Sequence, residues 1–411
     1  MQGIIIFAFR NARWLLGGLL LTFFSSFGQT FFISLFSGKI RDSFQLSDGE
    51  FGGIYMAGTL ASAVTLIGVG KTLDRFSISA VSLWVIGALS VACLGMSFVN
   101  SWLLLLVVIY ALRLFGQGMM THTSQTAIGR WYDADRGRAI SLTSMGHQIG
   151  EALFPTIVLV LLGWYEWRVA WRICALALIV VAMPAIVLLM RVEHQPSISQ
   201  QSKLGRRKRD WTRGEVIRDG VFWILCLGIL APAFIGTSVF FHQVRIVESK
   251  GWSPSVFAVS FLVLSMTTVF FTLFAGQLVD RYQARRILPV FLLPLGVACL
   301  VLSWGRDPLA IHGFMFLLAI SYGFSSAIFG TIWPETYGTA HLGAIRAVAV
   351  AAMVFASAIG PGITGWCIDR GIGFDFQLVV MAGYCLFAAI AMVAAVKILD
   401  NRQQFVSEEI D

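Results

Sequence analysis

Apolar runs of membrane-crossing length recur from one end of the chain to the other, and that feature excludes most architectures. A helix needs roughly 20 predominantly apolar residues to cross the hydrocarbon core, and in lipid its backbone groups must be bonded within the segment. Such runs cover residues 14–36, 51–70, 79–99, 102–126, 139–162 and 169–190, then 221–243, 255–279, 287–304, 309–331, 346–367 and 377–399. Twelve spans are expected. Composition agrees, because 57% of the residues are hydrophobic and 13% charged, against about 25% charged in an ordinary soluble domain.

The first run starts at Trp14 behind Arg10 and Arg13. It is too long for the apolar region of a secretory signal, so an uncleaved first helix is expected. Lys and Arg in short loops stay on the cytoplasmic side, and here they favour the termini and the loops after even-numbered spans. Both termini are therefore expected in the cytoplasm, and the short loops suit a bacterial inner membrane. The net charge of +8 is concentrated in Arg191 to Arg218, around Lys203-Leu204-Gly205-Arg206-Arg207-Lys208-Arg209. Without stacking aromatics this cluster reads as a topology anchor beside anionic lipid, not as a nucleic-acid surface. The six cysteines stand singly in apolar segments without metal-ligand spacing, and no cofactor is expected.

The chain also repeats itself. Gly70-Lys71-Thr72-Leu73-Asp74-Arg75-Phe76 follows span 2, and Gly276-Gln277-Leu278-Val279-Asp280-Arg281-Tyr282 follows span 8, about half a chain later. Both read G-x-x-x-D-R-aromatic at the same place within six helices, which implies parallel repeats of the kind transporters contain. The division expected is an N-terminal six-helix bundle over residues 1–190, a basic cytoplasmic linker over 191–220, and a C-terminal bundle with a short tail over 221–411.

Two six-helix halves, a basic central loop and a Gly-x-x-x-Asp-Arg loop in each half resemble the major facilitator superfamily. Arg113-Leu114-Phe115-Gly116-Gln117-Gly118 in span 4 resembles its arginine and glycine motif. Ala358-Ile359-Gly360-Pro361-Gly362 in span 11 resembles its Gly-Pro helix-packing motif, with Gly146 to Gly150 and Pro155 as a looser counterpart in span 5. Arg136-Gly137-Arg138-Ala139, with Gly338 and Arg346, loosely resembles the monocarboxylate and oxalate branch. The resemblance implies an all-α membrane protein of the major facilitator fold, with twelve transmembrane helices in two pseudo-symmetric six-helix bundles. It also implies a cytoplasmic gate involving Gly70, Asp74, Arg75, Gly276, Asp280 and Arg281, and helix packing at Gly360 and Pro361. Helices 1, 4, 7 and 10 would line the path, making Thr22, Ser25, Ser26, Gln29, Thr237, Ser238, Ser321, Tyr322, Ser325 and Ser326 lining candidates. The basic residue that the monocarboxylate branch carries on helix 8 is absent here.

Ionisable side chains at membrane depth are costly and mark function by default. Arg113 and Glu151 lie near the middle of spans 4 and 5, where they can meet. Gln117 follows Arg113 on one helical stripe, and Ser144, His147 or Gln148, and Glu151 make another. Two readings stand together: a structural ion pair, since a buried charge needs a partner, or a role in substrate or proton handling, with His147 as a relay.

The function expected is secondary transport of a small organic solute, an organic anion such as a monocarboxylate ahead of others, by proton-coupled alternating access. Its partners would be the solute, protons and membrane lipid, and a functional monomer is expected. Proton-coupled efflux of drugs or hydrophobic cations is the first alternative, and a non-transporting receptor or scaffold the second. No Walker loop, Gly-x-Ser-x-Gly elbow or His-Glu-x-x-His motif is present, so no enzyme is expected.

Overall fold

Helix starts follow the side chains able to cap them. The Ser47 hydroxyl accepts from the Glu50 amide while the Glu50 carboxylate accepts from the Ser47 amide, a capping box that opens span 2 at Asp48–Val69. Ser77, Ser101, Asp219 and Ser253 cap span 3 (Ile78–Phe98), span 4 (Trp102–Trp131), span 7 (Gly220–Phe241) and span 8 (Pro254–Tyr282). Span 5 is Arg136–Trp164, span 6 Trp167–Met190, span 10 Leu309–Tyr337, span 11 Leu342–Asp369 and span 12 Phe374–Glu408. The computed structural model describes residues 2–132, 136–192, 210–338 and 341–408. The Lys203 to Arg209 cluster of the linker lies outside the described residues, as do the side chains of Arg136 and Asp280.

Two spans depart from expectation. Span 1 is not one continuous helix over 14–36 but a pair, Ala12–Gly28 and Thr30–Phe44, bent by 44°. Ser25–Gly28 tightens to a 3₁₀ turn and Gln29 is extended, with ψ 154°. Ser25 draws the chain away from regular helix by donating to the Thr22 carbonyl at 2.6 Å. Gly28 lies so close to span 4 that a Cβ on Gly116 would come 2.6 Å from its Cα. Span 9 has regular helix only over Leu293–Trp304, behind a single turn at Ala284–Ile287. Pro289 and Pro294 lack the amide protons a continuous helix over 287–304 would use.

The twelve spans form two similar halves. Span 5 packs on span 1 as span 11 packs on span 7, and spans 3 and 6 pair in one half as spans 9 and 12 do in the other. Small residues permit the closest approaches: a Cβ on Gly146 would lie 2.9 Å from the Phe23 amide, and one on Gly360 3.1 Å from the Phe234 carbonyl oxygen. The halves meet where spans 2 and 11, and spans 5 and 8, cross the interface.

The polar ties between the halves cluster on the face away from the termini, here the distal face. Asp48, at the start of span 2, bonds Arg41 at 2.9 Å within its own half and lies 3.8 Å from His242 Nδ1 and 3.7 Å from Arg245 Nε of the other. Ser47 Oγ and the Gly49 amide both donate to Asp369, at 2.6 and 3.0 Å. Ser34 donates to the Phe240 carbonyl at 2.7 Å, and the Gln243 amide donates to the Phe31 carbonyl at 3.0 Å and to Ser34 at 2.7 Å. These bonds close the distal side over a cavity at mid-depth.

Candidate functional site

Two irregularities and one regular helix build that cavity from the first half. The break in span 1 turns Gln29, Thr30 and Phe31 into it. Span 4 widens into a π-helical stretch over Leu112–Met120, a form frequent at functional sites, and contributes Gln117. Span 5 places His147, Gln148 and Glu151 along one face. The second half supplies Thr237 and Phe240 from span 7, Thr268 from span 8 and Tyr322 from span 10, enclosing about 170 Å³. Phe31 and Phe240 both pack against Phe261, at 5.7 and 5.1 Å between ring centroids, beneath the distal ties.

Of the expected lining residues, Gln29, Gln117, His147, Glu151, Thr237 and Tyr322 share this cavity. Ser325 does not line it; its buried hydroxyl lies in the helix interface without a partner. Thr22 donates to the Thr143 carbonyl at 2.5 Å, Ser238 to Phe234 and Ser321 to Phe291, so these hydroxyls are spent on helix backbone. The sequence did not single out Thr30, Phe31 and Phe240, which sit in runs that read as plain apolar span. Only the break in span 1 turns the first two inward.

Arg113 and Glu151 do not meet. Arg113 is 2% exposed. Its Nη1 donates to the Gly28 carbonyl at 3.1 Å and to Thr30 Oγ1 at 3.4 Å, and its guanidinium stands 5.3 Å from the centre of the Tyr55 ring. The break in span 1 frees a carbonyl that no helical amide takes, and the guanidinium takes it. Glu151, 7% exposed, lines the cavity with no hydrogen bond or ion pair to the described protein. His147 Nδ1 and one amide end of Gln148 are likewise buried without partners.

The two repeat loops lie on the terminal face. Asp74 pairs with Arg130 at the end of span 4 at 2.5 Å, and Arg130 also donates to the Leu73 carbonyl at 2.7 Å, all within one half. Gly70 lies close to the His122 ring. Arg75 is exposed, and Arg281, also exposed, lies 5.3 Å from the Tyr282 ring. In the second loop Arg285 pairs with Asp400 of span 12 at 2.9 Å. Gly276 has open space around it.

The family model described as Major Facilitator Superfamily matches residues 18–361 and 244–407. The chain belongs to the major facilitator superfamily, and it is a transporter of small solutes, not an enzyme. Its fold is similar to that of a bacterial homolog of the human lysosomal transporter Spinster in an inward-facing, unoccupied conformation. There the TM-score is 0.67 at 16% identity, over 95% of this chain and 94% of that one. The occupied inward-facing form gives 0.67 at 16% over 97% of each chain. A single-residue mutant of the nucleoside transporter NupG gives 0.68 at 15% over 93% of this chain and 99% of that one. Among curated protein sequences none matches significantly.

Proposed function

We propose that this protein moves a small polar solute across a bacterial inner membrane by proton-coupled alternating access, with Glu151 carrying the proton. The observation behind this reading is a buried carboxyl that faces the central cavity and has no cation beside it among the described residues. A lone carboxylate out of water is costly. A cavity that opens first to one side and then to the other lets that carboxyl take a proton from one compartment and release it to the second. The basic loops support termini in the cytoplasm, which makes the distal face the outer one and this conformation closed to the outside. The unit of transport would be the monomer.

An organic anion would need a cation at mid-depth to receive it, and Arg113 stands behind the cavity on the span 1 carbonyl. Drug-sized ligands occupy pockets of about 300–1,000 Å³, and a cavity of about 170 Å³ favours a smaller molecule. The test is proton movement. Adding a carried solute to proteoliposomes that enclose a pH dye should shift the internal pH in wild type and leave it unchanged in Glu151→Gln. Solute flux with no pH change in wild type would reduce the protein to a facilitator.

A further inference from the structure

The cavity wall is chemically lopsided, and the lopsidedness bears on what it carries. From the first half, the Gln29 and Gln117 amides and the Glu151 carboxyl make no hydrogen bond to the rest of the described protein. His147 Nδ1 and one end of the Gln148 amide are buried and equally unpartnered. From the second half, Thr237 donates its hydroxyl proton to the Ala233 carbonyl at 2.6 Å and Thr268 donates to Leu264 at 2.8 Å. Tyr322 points its hydroxyl at the Pro232 carbonyl, 3.4 Å away. The free hydrogen-bonding capacity thus lies on spans 1, 4 and 5, while the second half offers hydroxyl lone pairs and the Phe240 ring.

Gln29 and Gln117 are only partly buried, and polar side chains that take no partner from the described protein and meet at one small cavity are free to bond a ligand there. Each carboxamide presents a donor and an acceptor side by side. That pairing matches hydroxyl, amide or lactam groups, which also donate and accept. It suits a carboxylate poorly, because a carboxylate only accepts and would face Glu151 with no Lys or Arg in the described lining. A lipophilic cation offers neither donors nor acceptors to the Gln29, Gln117 and Gln148 carboxamides and would engage Glu151 alone.

We infer that the substrate is an uncharged solute with several hydroxyl or amide groups and one apolar face. The Gln29, Gln117 and Gln148 side chains of the first half read its polar edge, and Phe31 and Phe240 cover the apolar face. Arg113 is a positioning residue here: it touches no solute and holds the break that turns Gln29 and Phe31 inward. This assignment rests on the proton-carrying role of Glu151 proposed above.

The experiment is flux of four labelled probes into proteoliposomes: xylose and uridine as uncharged hydrogen-bonding solutes, lactate as an anion and tetraphenylphosphonium as a cation. Saturable uptake of an uncharged probe is expected, with apparent KM raised about tenfold in Gln117→Leu or Gln148→Leu, the scale of one lost hydrogen bond. Gln117→Asn and Gln148→Asn serve the same comparison if a leucine variant does not fold. Saturable uptake of lactate or tetraphenylphosphonium and of neither uncharged probe overturns the assignment, as does an unchanged KM in every glutamine variant. Uptake of none of the four counts against it too. Whether a carried probe responds to an imposed proton gradient reports separately on Glu151.

Discussion

Arg113 donates from Nη1 to the carbonyl oxygen of Gly28 at 3.1 Å, at the point where span 1 stops being a helix. The same guanidinium reaches Thr30 Oγ1 at 3.4 Å, and Thr30 in turn bonds the Tyr55 hydroxyl at 2.7 Å. The cation at mid-membrane is therefore tied to a broken backbone, not to the carboxyl on the neighbouring helix. The break separates two attachments. The half of span 1 nearer the terminal face packs on span 5, and the other half is bonded to Phe240 and Gln243 of the opposite bundle. A rocking motion between bundles would pass through residues 25–29.

Removing that clamp should weaken handling of every carried solute alike, because it loosens the break that turns Gln29 and Phe31 inward. A hydrogen bond to a charged group contributes about 1.5–3 kcal/mol net, and Arg113→Leu leaves the Gly28 carbonyl buried and unpaired. A lower thermal midpoint in detergent is expected, with slower flux of every carried solute and an unchanged order of preference among them. A selective loss of anion flux would instead make Arg113 a receptor.

The distal seal depends on Asp48. In Asp48→Asn the Arg41, His242 and Arg245 side chains lose their shared carboxylate, so the state open on the distal side should become more populated. With the six native cysteines replaced and a cysteine placed at Phe31, an impermeant thiol reagent added from that side should label the variant about tenfold faster, equivalent to ~1.4 kcal/mol of closure. Equal labelling rates would mean the seal rests on packing alone.

On the terminal face, Arg402 grips Asp219 with two bonds of 2.8 and 2.9 Å, and the Tyr337 hydroxyl adds a third at 2.9 Å. Burial alone would push the Asp219 carboxyl up, but these bonds and the Val221 amide hold it below the usual carboxylate range. A carboxyl lowered on folding stabilises the protein above its unfolded pKa, and the benefit is lost as pH falls through the folded value. Asp219→Asn should therefore melt earlier than wild type at pH 7, and the gap should close as the pH is taken below about 4. A gap that persists in acid would assign the effect to packing.

The fold was largely legible because lipid imposes a length rule, and ten of the apolar runs became helices long enough to cross. The repeat loops marked the two halves because Gly70 and Gly276 recur in register. The departures came from features that run length does not encode. The break at Gly28 depends on Gly116, a residue distant in sequence, and span 9 is shortened by two prolines inside an otherwise apolar run. Mid-span position placed Arg113 and Glu151 at one depth but could not say which way each pointed. The π-helical stretch of span 4 and the break in span 1 decided that, sending Arg113 behind the cavity and leaving Glu151 in it. Asp48 and His242 were missed as a pair because a carboxylate at a helix start reads equally well as a cap.

The central claim is that Glu151 couples solute movement to protons, and it is tested most directly by comparing two kinds of flux in one variant. With whichever solute the panel identifies, Glu151→Gln should fail to accumulate it under an imposed proton gradient, yet should still exchange labelled for unlabelled solute at a rate within a fewfold of wild type. Accumulation that survives the substitution would contradict the account and assign the coupling to another group.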